Sequence, residues 1–354
     1  MCMSGKLKYV TDKILPVSGD AISKAYERLD SLTKPRRSLG YLEDVAARFA
    51  AIRGEDRPVF GKKKVFVFAG DHKVVEEGVS AYPAEVTGLM VMNFINGGAA
   101  INVLARCAGA EVEVIDIGVA KDPGHVKGLV RLNVKRGADN IARGPAMTVN
   151  EAEKAISVGI ERLNIAADAG VTLVATGEMG IGNTTPAAAL YSVYLGLPVK
   201  DIVGPGTGLD EKGIAHKTKV IERAIDVNRA ACTSPLDTLA ALGGLEIAGI
   251  CGLCIGAAVR RIPVVVDGYI STTGALAAMK ICPITKDYMF FSHMSAEPGH
   301  RKFFEQENIR PLLDLGMRLG EGTGAAIAMQ IIQDAVSIYN EMATFSDIGI
   351  QPGA

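Results

Sequence analysis

The hydrophobic pattern of the chain contains six short runs, rich in β-branched or aromatic residues, that end in small or polar residues. These runs are residues 64–70, 111–118, 171–177, 201–204, 262–268 and 288–292. Most are continuously apolar, which is typical of strands covered on both faces. Segments with helical spacing separate them, at 84–108, 149–169, 186–195, 211–230, 236–260 and 272–280. The alternation predicts an α/β fold with a parallel, doubly wound sheet.

The two ends of the chain differ from this middle part. Residues 1–60 are charged and predict helices at 20–29 and 39–53, and the chain after residue 300 predicts helices at 301–307, 311–319 and 323–342. Neither end has a strand pattern. We therefore expect a large α/β catalytic domain over 61–300, and a small helical domain built from 1–60 plus 301–354.

Composition excludes several classes of protein. Of the 354 residues 48% are hydrophobic and 22% are charged, and the formal net charge is −1. The chain is too apolar for disorder. It has no basic excess and only 5% aromatic residues, so nucleic-acid binding is not expected. The 40 glycines show no collagen period, which leaves turns and close approaches of backbone to a ligand.

Six cysteines are too few for a disulfide scaffold, and the first ten residues lack the apolar core of a signal peptide, so we expect a cytoplasmic location. The segment 238–259 is long enough to span a bilayer and carries one charge, Glu246. Its glycines, and the charged residues and strand that follow closely, favour a helix packed under the sheet instead. The sequence therefore predicts no membrane span.

Open parallel sheets bind ligands outside the carboxyl ends of their strands. The segments that follow the predicted strands are 70–72, 116–119, 177–180, 204–208, 267–269 and 292–295. Two of them contain the histidines that we consider as functional candidates, His72 and His293. The chemistry is expected at this edge of the sheet.

Two glycine-rich turns at that edge have the character of anion-binding cradles. In the first, residues 180–186, Thr185 can cap a helix and Pro186 suits its first turn, so that exposed amides would face an anion. The second, residues 204–208, precedes a helix that begins near Asp210 and carries Lys217. Neither turn matches a Walker loop or a dinucleotide fingerprint. A purely structural turn is the alternative for each, but two on one edge favour a phosphate site.

Two glutamates lie in glycine-rich surroundings. Glu321 is flanked by Gly320 and Gly322, so a ligand can approach its carboxylate closely and the group could act as a general base. A helix N-terminal glutamate that favours the dipole is the alternative. Glu178 ends a predicted strand, where a hydrogen-bonded structural carboxylate is equally expected.

Two further patterns are weaker. Cys251 and Cys254 have CxxC spacing, but they lie in an apolar segment without other ligands and are expected to pack in the core. A set of strand-end residues could hold a metal ion, which would suit a metal-dependent phosphohydrolase. These residues are Asp71, His72, Asp267 and His293.

Several strings at these strand ends resemble one enzyme family over nearly the whole chain. The most specific are residues 183–186, Asn-Thr-Thr-Pro, and residues 318–322, Arg-Leu-Gly-Glu-Gly. Others are Lys34-Pro35 with 38–40, Asp71-His72, 77–79, 177–180, Asp267-Gly268, Ser292-His293 and 295–297. The chain resembles the nicotinate-nucleotide:dimethylbenzimidazole phosphoribosyltransferases, which make the lower-ligand nucleotide of cobamides.

This resemblance implies a six-stranded parallel Rossmann-like sheet, a small helical domain from both termini, and a dimer. It implies that nicotinate mononucleotide gives up nicotinate, and that a lower-ligand base takes its place on C1′ with inversion to the α-riboside 5′-phosphate. No cofactor and no metal are implied. A metal-dependent phosphohydrolase, and a non-catalytic partner subunit that kept the fold, are the alternatives.

The resemblance also assigns roles to residues. Glu321 would be the base that takes the proton of the acceptor, and Glu178 a second carboxylate that favours positive charge at C1′. Phosphate and ribose would contact Gly180, Gly182, Asn183, Thr184, Gly206, Gly208, Lys217, Asp267, Gly268 and Ser295. The acceptor base would lie among Ser80, Tyr82, Leu89, Met90, Met179 and Leu319.

The chain departs from the family pattern near the acceptor. Lys73 follows Asp71-His72 where glycine is common, and the segment 86–90 lacks a glutamine that members often have there. Tyr82 stands where some members carry a small hydroxyl residue. We therefore hypothesise an acceptor other than dimethylbenzimidazole, such as another benzimidazole, a purine or a phenolic. Because some relatives that use phenolics pair with a non-identical subunit, a heterodimer is an alternative to the homodimer.

Overall fold

The computed structural model describes residues 5–206 and 208–350. Its strands are β1 (Lys62–Gly70), β2 (Ala110–Gly118), β3 (Leu129–Arg131), β4 (Val171–Met179), β5 (Val264–Val266) and β6 (Met289–Phe291). Its helices before β4 are α1 (Gly5–Thr11), α2 (Gly19–Ser31), α3 (Tyr41–Arg53), α4 (Val86–Ile95), α5 (Ala100–Cys107) and α6 (Val149–Asp168). Those after β4 are α7 (Thr184–Leu195), α8 (Glu211–Asn228), α9 (Pro235–Leu242), α10 (Leu245–Val259), α11 (Tyr269–Ile281), α12 (Pro298–Glu307) and α13 (Thr323–Glu341).

The six strands form one parallel sheet in the order β3-β2-β1-β4-β5-β6, which confirms the predicted fold class. On one side of β1, Val65 is paired with Val112, and on the other side with Ala175. The direction of winding reverses between β1 and β4. In a doubly wound sheet this switch point leaves a crevice at the carboxyl ends of the two strands, where ligands bind.

One of the predicted strands is wrong and one was missed. Of residues 201–204, Asp201 ends a 3₁₀ turn at Val199–Asp201, and the other three lead into a loop instead of a strand. Ile202 and Val203 are buried there outside the sheet, so their apolar character reflects packing and not strand formation. The sixth strand is β3, which pairs with β2 at an edge of the sheet. Its three residues end in the exposed Arg131 and so give no continuous apolar run.

Three helix predictions need correction. The segment 84–108 breaks into α4 and α5 at Gly97, which has a φ of +77°. The segment 236–260 breaks into α9 and α10 at Gly243, where an added Cβ would lie 2.9 Å from Leu239 Cδ1. Residues 311–319 are not helical, because Leu313 runs beside β6: its amide donates to the Ser292 carbonyl at 2.9 Å.

Helix α10 confirms the predicted buried helix under the sheet. It packs on β1, β2 and β4 on one side and on α6 on the other, and residues 245–258 are all buried. Glycines allow its close crossing with α6: a Cβ on Gly252 or Gly159 would collide with backbone of the opposite helix. Cys251 and Cys254 pack in this core, as expected, and burial raises the pKa of both thiols.

The stretch Val86–Cys107 has a length of 22 residues and a mean hydropathy of 1.4, which would suffice to cross a membrane by composition alone. In the most apolar 18-residue part of this stretch, 33% is buried inside the protein. The break at Gly97 divides the stretch into α4 and α5, each shorter than a bilayer span.

The two ends of the chain pack against each other. The Arg28 guanidinium donates to the carbonyls of Tyr339 and Asn340, and Leu32 forms an antiparallel bridge with Thr344. Helix α3 packs on α13. The apolar core nevertheless runs continuously through the terminal helices and the sheet. The division into 61–300 and 1–60 plus 301–354 stays a prediction.

Candidate active site

Two buried carboxylates approach each other at the carboxyl end of β4. Glu178 is one residue from the end of that strand, and Glu321 precedes α13; their exposed fractions are 5% and 6%. Glycine permits this approach from both sides. A Cβ on Gly177 would lie 2.6 Å from the Glu321 carbonyl oxygen, and one on Gly320 would collide with Glu178 Oε1. The structure thus brings together the two carboxylates that the sequence singled out.

The environment makes both carboxyl groups weaker acids than usual. Burial, with the charges of Asp267, Glu246 and Glu321, raises the pKa of Glu178 to about 8, against the opposing hydrogen bond from Asn183. Burial and the Asp267 charge also raise the pKa of Glu321, which a bond from the Ile101 amide partly offsets. Carboxyl groups tuned in this direction can exchange protons near neutral pH.

The backbone of Glu321 is held in a strained conformation. Its φ is +64°, in the left-handed region that non-glycine residues rarely adopt, between Gly320 at +87° and Gly322 at +92°. Such strain costs about 1–3 kcal/mol and occurs most often at functional sites. It presents a carboxylate whose Oε2 is buried without a hydrogen-bond partner. This oxygen is free to accept a proton from a ligand.

Asp267 holds the turn that contains Glu321 in place through hydrogen bonds to its backbone. Helix α13 begins after Gly322, which has no side chain to cap it. Asp267 supplies the cap from the end of β5: its Oδ2 accepts from the Gly322 amide at 3.1 Å, and its Oδ1 from the Ala325 amide at 2.9 Å. Both oxygens are therefore occupied by backbone donors, so Asp267 is a positioning residue for Glu321. The substrate contact predicted for it stays a prediction.

We expect Asp267→Ala to weaken the fold and the site together, because it leaves buried amides of α13 without an acceptor. The free energy of unfolding should fall by about 1–3 kcal/mol, measured by urea denaturation. The matched control is Asp334→Asn on the exposed face of α13, which should change the free energy of unfolding by less than about 0.5 kcal/mol. Equal stability of the two variants would contradict the capping role.

The two predicted glycine cradles lie side by side. Lys217 is buried on α8, and its Nζ donates to Thr184 Oγ1 at 2.6 Å in the first turn of α7. A Cβ on Gly206 would lie 2.9 Å from that hydroxyl and 3.1 Å from Lys217 Nζ. Burial lowers the pKa of Lys217 to about 8, against the attraction of Glu297. A lysine beside glycine amides and a helix N-terminus can bind a phosphate.

The other predicted phosphate residues have defined places at this edge of the fold. Asn183 donates from Nδ2 to Glu178 Oε2 and so joins the cradle to the carboxylates. Gly182 has a φ of +85°, and a Cβ there would lie 2.6 Å from Val75 Cγ2. Ser295 is buried and donates from its amide to His300 Nδ1 at 2.9 Å. Gly268 is the N-cap residue that precedes α11, and Gly208 has a φ of +110°.

The predicted acceptor residues divide by exposure. Met179 is buried at the end of β4, and Ser80 and Met90 are partly buried. Tyr82, Leu89 and Leu319 are exposed by 53%, 68% and 58%. Leu319 adjoins Gly320, which contacts Glu178, and α4 is tied to the cradle because the Ile181 amide donates to Thr87 Oγ1 at 3.1 Å. Large apolar groups exposed beside a polar centre suit a flat aromatic ligand.

The proposed metal set does not form. His72 bonds to Glu246 through Nε2 at 2.7 Å, and Asp71 accepts from the Ala120 amide at 2.8 Å. Asp267 is occupied by helix amides, and His293 bonds to Ser292 Oγ at 3.0 Å. Within residues 5–206 and 208–350, no three His, Cys, Asp or Glu side chains are grouped to share a metal ion. The metal-ligand hypothesis for these residues is therefore wrong.

Two site residues were missed from the sequence. Glu246 lies under the cradle and bonds to His72. Burial lowers the pKa of His72, but the Glu246 and Asp71 carboxylates outweigh this effect and raise the pKa above its ordinary value. Glu297 lies beside Lys217 and accepts from the Gly206 amide at 3.0 Å. Glu246 appeared only as the single charge of an apolar helix, which is itself the signal that it has a buried partner.

The fold defines a Rossmann-like α/β protein, and its candidate catalytic carboxylates lie at the switch point of the sheet. The phosphoribosyltransferase family that includes nicotinate-nucleotide–dimethylbenzimidazole phosphoribosyltransferases matches residues 14–350, and the chain belongs to it. It is 53% identical over 348 residues to the enzyme of that name from Chlorobaculum tepidum, covering 98% of this chain and 99% of the relative.

Other relatives agree. The enzyme of the same name from Geobacter sulfurreducens is 52% identical over 341 residues, covering 96% of this chain and 97% of the relative. The crystal structure of CobT from Thermus thermophilus superposes with a TM-score of 0.90 at 46% identity, covering 94% of this chain and all of that one. The chain is therefore a phosphoribosyltransferase of cobamide biosynthesis, as its sequence predicted.

Proposed function

We propose that this enzyme transfers the phosphoribosyl group of nicotinate mononucleotide to a lower-ligand base and releases nicotinate and an α-riboside 5′-phosphate. The names of the relatives support this donor and a benzimidazole acceptor. The observation that carries the proposal is the pair Glu178 and Glu321, buried together beside a lysine-containing glycine cradle.

The transfer needs one general base, which removes a proton from the acceptor. The bond between C1′ and the pyridinium nitrogen breaks, and nicotinate leaves with the electron pair, so that it needs no proton. A ring nitrogen of the acceptor attacks C1′ from the opposite face, and the proton on the acceptor must be removed. We assign this step to the partnerless Oε2 of Glu321. Once pH exceeds the raised pKa of Glu178, about 8, its ionised carboxylate would favour the positive charge that develops at C1′.

We further assign the phosphate to the cradle of Gly180, Gly206, Gly208, Lys217, Gly268 and Ser295. Lys217 supplies the cation there, and amides of the two turns other than that of Gly206, which donates to Glu297, supply donors. The test is a measurement of nicotinate release from nicotinate mononucleotide by the pure chain. Release that requires an acceptor supports transfer. Equal release without an acceptor would show a hydrolase, and none at all would favour a non-catalytic subunit.

The acceptor is the open part of the proposal. An assay of the pure chain against dimethylbenzimidazole, unsubstituted benzimidazole, adenine and a phenol should show the highest kcat/KM for a base other than dimethylbenzimidazole, because Tyr82 and Leu89 alter the pocket. Exclusive use of dimethylbenzimidazole would contradict that hypothesis and leave the donor chemistry intact. Tyr82→Ser is the matched variant, and it should move the preference towards dimethylbenzimidazole.

The proposal also covers how the chain assembles and where in the cell it acts. We propose a homodimer in the cytoplasm, with the exposed side chains of Tyr82, Leu89 and Leu319 near the shared surface. Light scattering of the pure chain measures the assembly directly. A monomer that becomes active only with a second, related chain would replace the homodimer by the heterodimer.

A further inference from the structure

Glu297 occupies an unusual position at the start of a helix. It is the N-cap residue of α12, where short side chains such as serine or aspartate normally bond to their own helix. The Glu297 side chain makes no such bond to α12. Its carboxylate instead reaches the neighbouring loop, where Oε1 accepts from the Gly206 amide at 3.0 Å. A buried carboxylate is thus committed to a different segment of the chain.

The loop is shaped to receive this carboxylate. A Cβ on Gly204 would collide with Glu297 Oε2 and would lie 2.7 Å from Pro298 Cδ. The Gly299 amide donates to the Ile202 carbonyl at 3.2 Å, so the chain before the loop also lies against the start of α12. The loop has no secondary structure of its own, and these contacts fix where the Gly206 amide points.

The surroundings of Glu297 connect it to Lys217. The exposed fraction of Glu297 is 5%, and burial raises its pKa, against Lys217, the Gly206 amide and Arg318. The groups that act on it come from three directions: Lys217 on α8, Arg318 from the segment before α13, and Tyr269 on α11. Glu297 therefore binds the Gly206 amide of the cradle and adjoins Lys217, the cation that we assign to phosphate.

We propose that Glu297 is the positioning residue of the phosphate cradle: its carboxylate holds the loop 204–206 against Lys217 in the geometry that recognises the phosphate of the donor. The inference rests on the proposed function, which assigns phosphate to this cradle. Glu297 acts through the Gly206 amide and not on the reacting bond. Its loss should therefore weaken the binding of phosphorylated ligands and spare the chemical step.

The variants separate the hydrogen bond from the charge. Glu297→Ala removes the acceptor and should raise KM for nicotinate mononucleotide about tenfold, with kcat within about twofold. Glu297→Gln keeps an oxygen for the Gly206 amide and should stay within about threefold of the wild type. Gly204→Ala pushes Glu297 aside and should act like Glu297→Ala. The control is Glu305→Gln, an exposed residue of α12.

Nicotinate riboside, which lacks the phosphate, provides the second readout, because its kcat/KM should be unchanged within about twofold in every variant. A loss of kcat with both donors, together with a lower melting temperature, would assign Glu297 a merely structural role and overturn the proposal. So would an unchanged KM in both Glu297→Ala and Gly204→Ala.

Calorimetry with inorganic phosphate measures the role of Glu297 in phosphate binding separately from the transfer reaction. If the wild type binds phosphate and Glu297→Ala weakens that binding about tenfold, the cradle is confirmed even in a chain that transfers nothing. If the wild type transfers phosphoribosyl groups and Glu297→Ala binds phosphate as tightly as the wild type, the transfer activity stands and the role of Glu297 is refuted.

Discussion

Replacing Glu321 with glutamine should lower kcat of phosphoribosyl transfer by about 10²–10⁴-fold, the usual contribution of a positioned general base. Glutamine has the same shape and the same Cβ, so the strain at φ +64° and the contact with Gly177 are unchanged. The substitution removes the negative charge of the carboxylate and with it the capacity to accept a proton. The measurement is the steady-state rate of nicotinate release with a saturating acceptor.

The matched control is Glu341→Gln, at the exposed far end of the same helix, which should retain full activity. The pH profile gives an independent check. The base must be ionised to act, and burial raises the pKa of Glu321, so the rate should rise with pH through a value above that of an ordinary glutamate. Near-normal turnover by Glu321→Gln would assign the base to another group.

Glu178→Gln should reduce transfer and yet stabilise the protein at high pH. Above about pH 8, where Glu178 is ionised, loss of its negative charge near C1′ should lower kcat by about 10–10³-fold. In the folded protein the pKa of Glu178 is raised to about 8, well above the value of about 4.3 for an unfolded chain. The folded state therefore holds this proton more tightly, and that contribution to stability is present at low pH and is lost as pH rises towards 8.

The glutamine variant does not titrate and should avoid that loss. Its melting temperature should exceed that of the wild type by about 2 °C or more at about pH 9, with a smaller difference at about pH 5. Glu222→Gln on the exposed side of α8 is the control and should show no pH-dependent difference. A melting difference that grows towards low pH would contradict the buried state of Glu178.

The fold could be predicted from the sequence where strands are long and apolar, as in β1, β2 and β4. The prediction failed at β3, because its three residues end in the exposed Arg131 and form no continuous apolar run, unlike the equally short β5 and β6. Segment 201–204 failed for the opposite reason: burial makes a loop as apolar as a strand. The helix breaks at Gly97 and Gly243 were readable in principle, but glycine also serves helix packing in this chain.

The candidate site could be predicted in part. Glu178, Glu321 and Lys217 stood out because glycines surround the glutamates and because the lysine follows a glycine turn. The capping function of Asp267 and the reach of Glu297 to Gly206 could not be predicted, since both depend on segments 55 and 91 residues distant in the chain. Sequence patterns report local neighbours, whereas these bonds are made by the tertiary fold.

The crossing of α6 and α10 has a mechanical consequence. The two helices touch backbone to backbone at Gly159 and Gly252, so few side chains lie between them that could rotate and let the helices slide. We expect the two helices to move as one rigid unit with the sheet. The backbone amides of both helices should exchange with solvent very slowly. Any movement that admits a ligand is then expected in the loops at the carboxyl edge of the sheet and not in this helix pair.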